Sequence, residues 1–66
     1  MSNPAANKEL RELQIGRAAL IVRFKRACRI RSKSPDKVSL SELSLLRNHI
    51  DETEAKIIEF QQYYLR

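Results

Sequence analysis

Ser32-Lys33-Ser34-Pro35-Asp36-Lys37-Val38-Ser39-Leu40-Ser41-Glu42 is the stretch on which the architecture turns. Proline has no amide N–H to give to a helix and drives the residue before it out of the helical region. A helix arriving from the N-terminal side must therefore stop near residues 32 to 34. Beyond the proline the chain is equipped to start again. Ser39-Leu40-Ser41-Glu42 has the spacing of a capping box, in which the Ser39 hydroxyl accepts from the Glu42 amide and the Glu42 carboxylate reaches back. Val38 and Leu43 stand where a hydrophobic staple needs them. One short segment ends one helix and begins another.

Downstream, Leu43, Leu46, Ile50, Thr53, Ile57, Phe60 and Tyr64 follow unbroken 3,4 spacing, the mark of a helix with one apolar stripe. Upstream, Leu10, Leu13, Arg17, Leu20, Phe24, Ala27 and Arg31 keep the same spacing, with Ile21 and Cys28 beside them. Asn3 before Pro4 is a good cap with proline at the first helical position, and Asn7 is a second candidate cap. Arg29, Arg31 and Lys33 give the last turns the sign that suits a helix C-terminus. The expected fold is all-α: a helix over about 4–33, a turn at 34–38 and a helix over about 39–65. A connection this short makes the two helices antiparallel neighbours in a single hairpin.

The two arginines in the first stripe admit two readings. The favoured one turns the stripe slightly, so that Ile21 and Cys28 point inward and Arg17 and Arg31 outward. The other keeps the Arg17 stem on the seam and pairs its charge with Glu54 or Glu59 across it.

Size narrows the function classes. At 66 residues and 7.7 kDa the chain holds one domain with a thin core, and a ligand pocket of several hundred Å³ is hard to build in it. One cysteine makes no internal disulfide, which points to a reducing, cytoplasmic setting. No apolar run nears the roughly 20 residues of a membrane span, and no apolar block follows the N-terminus, so neither a membrane nor a leader is expected. A lone cysteine and a lone histidine form no nucleophile pair with an orienting third group. Cys28 reads as a small seam residue and His49 as a surface residue on the neighbouring helix at a similar height, too few ligands for zinc. Asp51, Glu52 and Glu54 read as a solvated face. No enzyme and no cofactor are expected.

Charge is uneven along the chain. Residues 1–37 hold ten basic and three acidic side chains, and residues 38–66 hold three basic and five acidic ones, giving +7 and −2. The basic excess is densest from Arg23 to Lys33, where Arg26, Arg29 and Lys33 stack at helical spacing with Lys25 next to them. This ridge is the candidate nucleic-acid contact, set against a simpler reading as a solvated helix end.

Two helices share one seam, and ordering costs about 1–2 kcal/mol per residue. Ile15, Ala18, Ala19 and Val22 on the first helix, and Leu45, Ile58, Tyr63 and Leu65 on the second, lie outside or at the edge of the stripes. Ile15, Ala18, Ala19, Val22, Leu45 and Ile58 are the candidate protein interface. Oligomerisation is among the few remedies for so small a chain. The leading expectation is a non-enzymatic interaction or regulatory protein whose hairpin pairs into a homodimeric four-helix bundle or docks on a partner's helices. In length and layout the chain is similar to small plasmid- and phage-encoded helical hairpins that dimerise into bundles. Arg23-Phe24-Lys25-Arg26 and the spacing of Glu42-Leu43, Asp51 and Ala55 resemble the Hha-like nucleoid modulators over part of the chain. No site residue is carried over from either resemblance.

Overall fold

A computed structural model describes residues 4–64; the expected cap at Asn3 and the apolar Leu65 lie outside them. Two helices, α1 (Pro4–Lys33) and α2 (Leu40–Tyr64), pack against each other as an antiparallel hairpin. The break falls where Pro35 requires it. Ser34 N–H still reaches back to the Ile30 carbonyl at 2.7 Å, and Lys37 N–H then closes a turn on the Ser34 carbonyl at 3.0 Å. The hydroxyl half of the capping box starts α2, with Glu42 N–H donating to Ser39 Oγ at 3.1 Å. Val38 is buried and Leu43 half-buried, the disposition a staple requires.

The inward line of α1 is Ala6, Leu10, Leu13, Arg17, Leu20, Phe24, Ala27 and Arg31, each buried or half-buried, with Ile21 and Cys28 flanking it. That of α2 is Leu43, Leu46, Ile50, Thr53, Ile57 and Phe60. Tyr64, expected to close this line, is exposed but stacks on Phe60 with ring centroids 4.6 Å apart. Register follows from Arg17, whose Nε donates to Glu54 Oε1 at 3.0 Å, so facing residues sum to about 71.

The favoured rotation of the α1 stripe does not occur. Arg17 stays on the seam because Glu54 stands at its height, each side chain about two-fifths exposed (43% and 41%), as a charged head leaning out over a buried stem would be. Arg31 also stays in, for a different reason. Its Nη1 donates to the Val38 carbonyl at 2.7 Å and lies 3.3 Å from that of Pro35, so the guanidinium bridges the end of α1 to the turn. These carbonyls follow a helix end and have no helical partner of their own. Charged hydrogen bonds of this kind contribute about 1.5–3 kcal/mol. Arg31→Ala is expected to destabilise the hairpin by about that amount and Arg31→Lys by most of it, because lysine lacks the planar fork. Thermal melts followed by circular dichroism read the difference; a melting temperature unchanged by Arg31→Ala would remove the clamp from the account.

The seam is long and thin. Among the described residues only Ala6, Val38 and Ile50 are buried, and no large side chain is wholly enclosed. Principal extents are 50 × 14 × 12 Å, with a radius of gyration of 15.1 Å, where a compact domain of this length would have about 11 Å. Gly16 lies exposed inside α1, and a Cβ added there meets nothing within 4 Å. Glycine in a helix interior costs about 0.5–1 kcal/mol relative to alanine. Gly16→Ala should therefore raise the melting temperature by about 2–8 °C; a lowered one would mean that this stretch of α1 is not an open helix surface.

Candidate interaction surfaces

With 3.6 residues per turn, the inward line of α1 has an opposite line running through Lys8, Arg11, Ile15, Ala18, Val22, Arg26, Arg29 and Lys33, with Ala19 and Lys25 beside it. All of these residues are exposed. Ile15 and Val22 are 63% and 57% exposed, so α2 covers neither. The α1 back face therefore has an apolar middle, built on Ile15, Ala18, Ala19 and Val22, between two cationic ends. The four interface candidates on α1 come together on it. Leu45 and Ile58 are exposed too but do not join them. Thirteen residues apart on α2, they point to different sides of that helix, and Ile58 opens into a shallow depression with Gln14, Arg17, Glu54 and Ile57. One flat contact cannot cover all six residues.

The cationic candidates Lys25, Arg26, Arg29 and Lys33 lie at the turn end of this face. Arg26, Arg29, Ile30 and Lys33 line a shallow depression of about 380 Å³. Among the described residues the ion pairs are Arg17 with Glu54 and Arg47 with Asp51, the latter at 3.5 Å, so none of the four is paired. Folding also rearranges the charge. The turn brings residues 21–50 into one half of the rod: Arg23, Lys25, Arg26, Arg29, Arg31, Lys33, Lys37 and Arg47 against Asp36 and Glu42, or +6. The other half, residues 4–20 and 51–64, sets Lys8, Arg11, Arg17 and Lys56 against Glu9, Glu12, Asp51, Glu52, Glu54 and Glu59, or −2.

A third surface was not foreseen. At the open end Phe60, Tyr63 and Tyr64 cluster, with the Tyr63 and Tyr64 ring centroids 5.7 Å apart, beside a groove of about 490 Å³ shared with Glu9, Leu13, Lys56 and Glu59. Phe60 and Tyr64 were read only as members of the seam stripe. The signal for a cluster was their i,i+4 spacing with Tyr63 adjoining.

Candidate catalytic side chains stay apart. Cys28 is half-buried and His49 exposed. By the register His49 lies at the height of Val22 rather than Cys28, an offset of about 9 Å along the axis. The expected similarity of height is thus corrected. Asp51 and Glu54 are each taken by an arginine, and no three metal-ligating side chains gather among the described residues. No described helix is long and apolar enough to cross a membrane.

Comparison with protein families, curated proteins and solved structures gives no match to this chain.

Proposed function

We propose that the protein is a non-enzymatic interaction module acting through helix packing, with its hairpin completed by a second copy into a four-helix assembly. The observation that carries this reading is surface area. The hairpin exposes 5537 Å², where a compact monomer of its mass would expose about 4,300 Å². The excess, about 1,200 Å² per chain, is larger than the roughly 800 Å² that each partner gives up in a standard-size stable interface.

The pairing is isologous, through the α1 back faces in antiparallel alignment. About a twofold axis at Ala18 and Ala19, Ile15 of one copy meets Val22 of the other, and the small alanines allow the axes to approach. Antiparallel alignment lays the net-positive half of each rod beside the net-negative half of its neighbour, while on the contact face itself Arg26 and Arg29 stand level with Arg11 and Lys8 of the other copy, where the crossing helices diverge. Parallel alignment would lay like halves together. Leu45 and Ile58 remain outside this contact and are left for a further partner helix.

Sedimentation equilibrium of the full chain at micromolar concentration tests the reading. The expected mass is twice 7.7 kDa, with a melting temperature that rises with protein concentration. A monomer that melts cooperatively at a concentration-independent temperature would overturn it.

A further inference from the structure

We propose that the turn half of the α1 back face is a sequence-independent binding site for the phosphate backbone of duplex DNA, held by Lys25, Arg26, Arg29 and Lys33. Nothing in the dimer reading requires this activity, and it stands on separate observations.

Segregation of charge comes first. Within the turn half, eight cationic side chains face two acidic ones, Asp36 and Glu42. Asp36 lies in the turn, and Glu42 belongs to α2, while the ridge points away from α2. The four ridge cations have no ion pair among the described residues, so their charge is not spent inside the fold. Arg17 and Arg31, by contrast, are both engaged on the seam side. On α1, the two arginines of the inward line are bound, and the four cations of the ridge are free.

Geometry comes second. Arg26, Arg29 and Lys33 hold one line over about 11 Å of a straight helix, with Lys25 alongside and a shallow depression between them. A row of guanidinium and ammonium groups carried at helical spacing suits a regular polyanion better than one compact phosphate, for which the site has no enclosing walls. Duplex is favoured over single strand because the exposed aromatics available for base stacking, Tyr63 and Tyr64, sit at the opposite end of the rod. DNA is favoured over RNA because an α-helix fits the roughly 12 Å major groove of B-DNA, whereas the deep, narrow groove of A-form RNA does not admit one. The ridge carries no Asn, Gln, Asp or Glu to read adenine or cytosine edges, and its arginines and lysines are the side chains that hold phosphates, so the contact is assigned to the backbone rather than to sequence.

The site is compatible with the proposed dimer. Arg26 to Lys33 lie about 11–22 Å beyond the Ala18–Ala19 crossing, and helices crossing at about 50° diverge over that distance. Each end of the dimer then presents one ridge.

A fluorescent 20-base-pair duplex of mixed sequence, titrated with the full chain, tests the proposal. Four phosphate contacts predict a log–log salt slope of about −3.6, or about 150-fold weaker binding at 200 mM salt than at 50 mM. Arg26→Gln with Arg29→Gln should roughly halve the slope, and Arg26→Glu with Arg29→Glu should abolish binding, with helical circular dichroism unchanged in both. Absence of binding at 50 mM salt would overturn the proposal, as would binding by the glutamate variant at wild-type strength. Tenfold preference for single-stranded DNA or structured RNA would overturn the choice of ligand. Sedimentation of the same variants keeps the two readings apart, because loss of DNA binding with an unchanged mass concerns the ridge alone.

Discussion

Ile15→Asp combined with Val22→Asp is expected to halve the sedimenting mass. Both side chains are more than half exposed on the single hairpin, so the substitutions remove nothing that α2 covers. Across a twofold axis they are four side chains rather than two. At about 1.5 kcal/mol each, the lower end for burying a large apolar group, their loss removes about 6 kcal/mol from association. That is roughly four orders of magnitude in the dimer Kd, before the cost of burying four carboxylates is added. A micromolar sample then sediments as single hairpins, and its melting temperature falls and loses its dependence on concentration. The same double variant in a protein that is monomeric by nature would change stability by about 0.5 kcal/mol per site at most and leave the mass as it was. A dimer that survives both aspartates would place the contact elsewhere on the rod.

Ile50→Ala is expected to abolish cooperative melting. Ile50 is the one large side chain of α2 that is buried, 6% exposed, and the register places it opposite Ile21 near the middle of the seam. Isoleucine-to-alanine changes in cores cost about 2–5 kcal/mol, the spread reflecting how far the site can collapse. A chain of this size rarely has more than about 3–5 kcal/mol in total, so the loss is comparable with everything holding the hairpin together. Leu45→Ala is the matched control, since Leu45 is 61% exposed and its truncation should cost little. Circular dichroism melts at one protein concentration compare the two. Near-equal melting temperatures for Ile50→Ala and Leu45→Ala would mean that the seam is not the stabilising element.

Most of the fold was legible because it rests on local chemistry. Pro35 and the Ser39 cap act within a few residues of themselves, and α1 ends and α2 begins within a residue or so of where they require. The 3,4 spacing of both stripes reads directly as the buried line of each helix. What was misread depends on what stands across the seam. Whether Arg17 turns in or out is decided by a carboxylate thirty-seven positions away arriving at its height. The role of Arg31 needs carbonyls that lack helical partners once the turn has formed. Neither partner is marked in the local pattern, where an arginine in an apolar stripe simply looks out of place. The ridge was legible residue by residue. Its isolation from acidic neighbours was not, because that follows from folding one half of the chain onto the other.

The lengthwise sorting of charge has a consequence for encounters rather than for contacts. A slender body positive toward one tip and negative toward the other has a permanent dipole moment, and the field of a distant polyanion exerts a torque on it before any surfaces touch. A single hairpin arrives tip first, with Pro35 and its neighbours leading and the tyrosines trailing, whereas in the antiparallel pair the two lengthwise moments oppose and cancel. At low ionic strength this pre-alignment shortens the orientational search, and it fades as the Debye length falls below the 50 Å span of the rod.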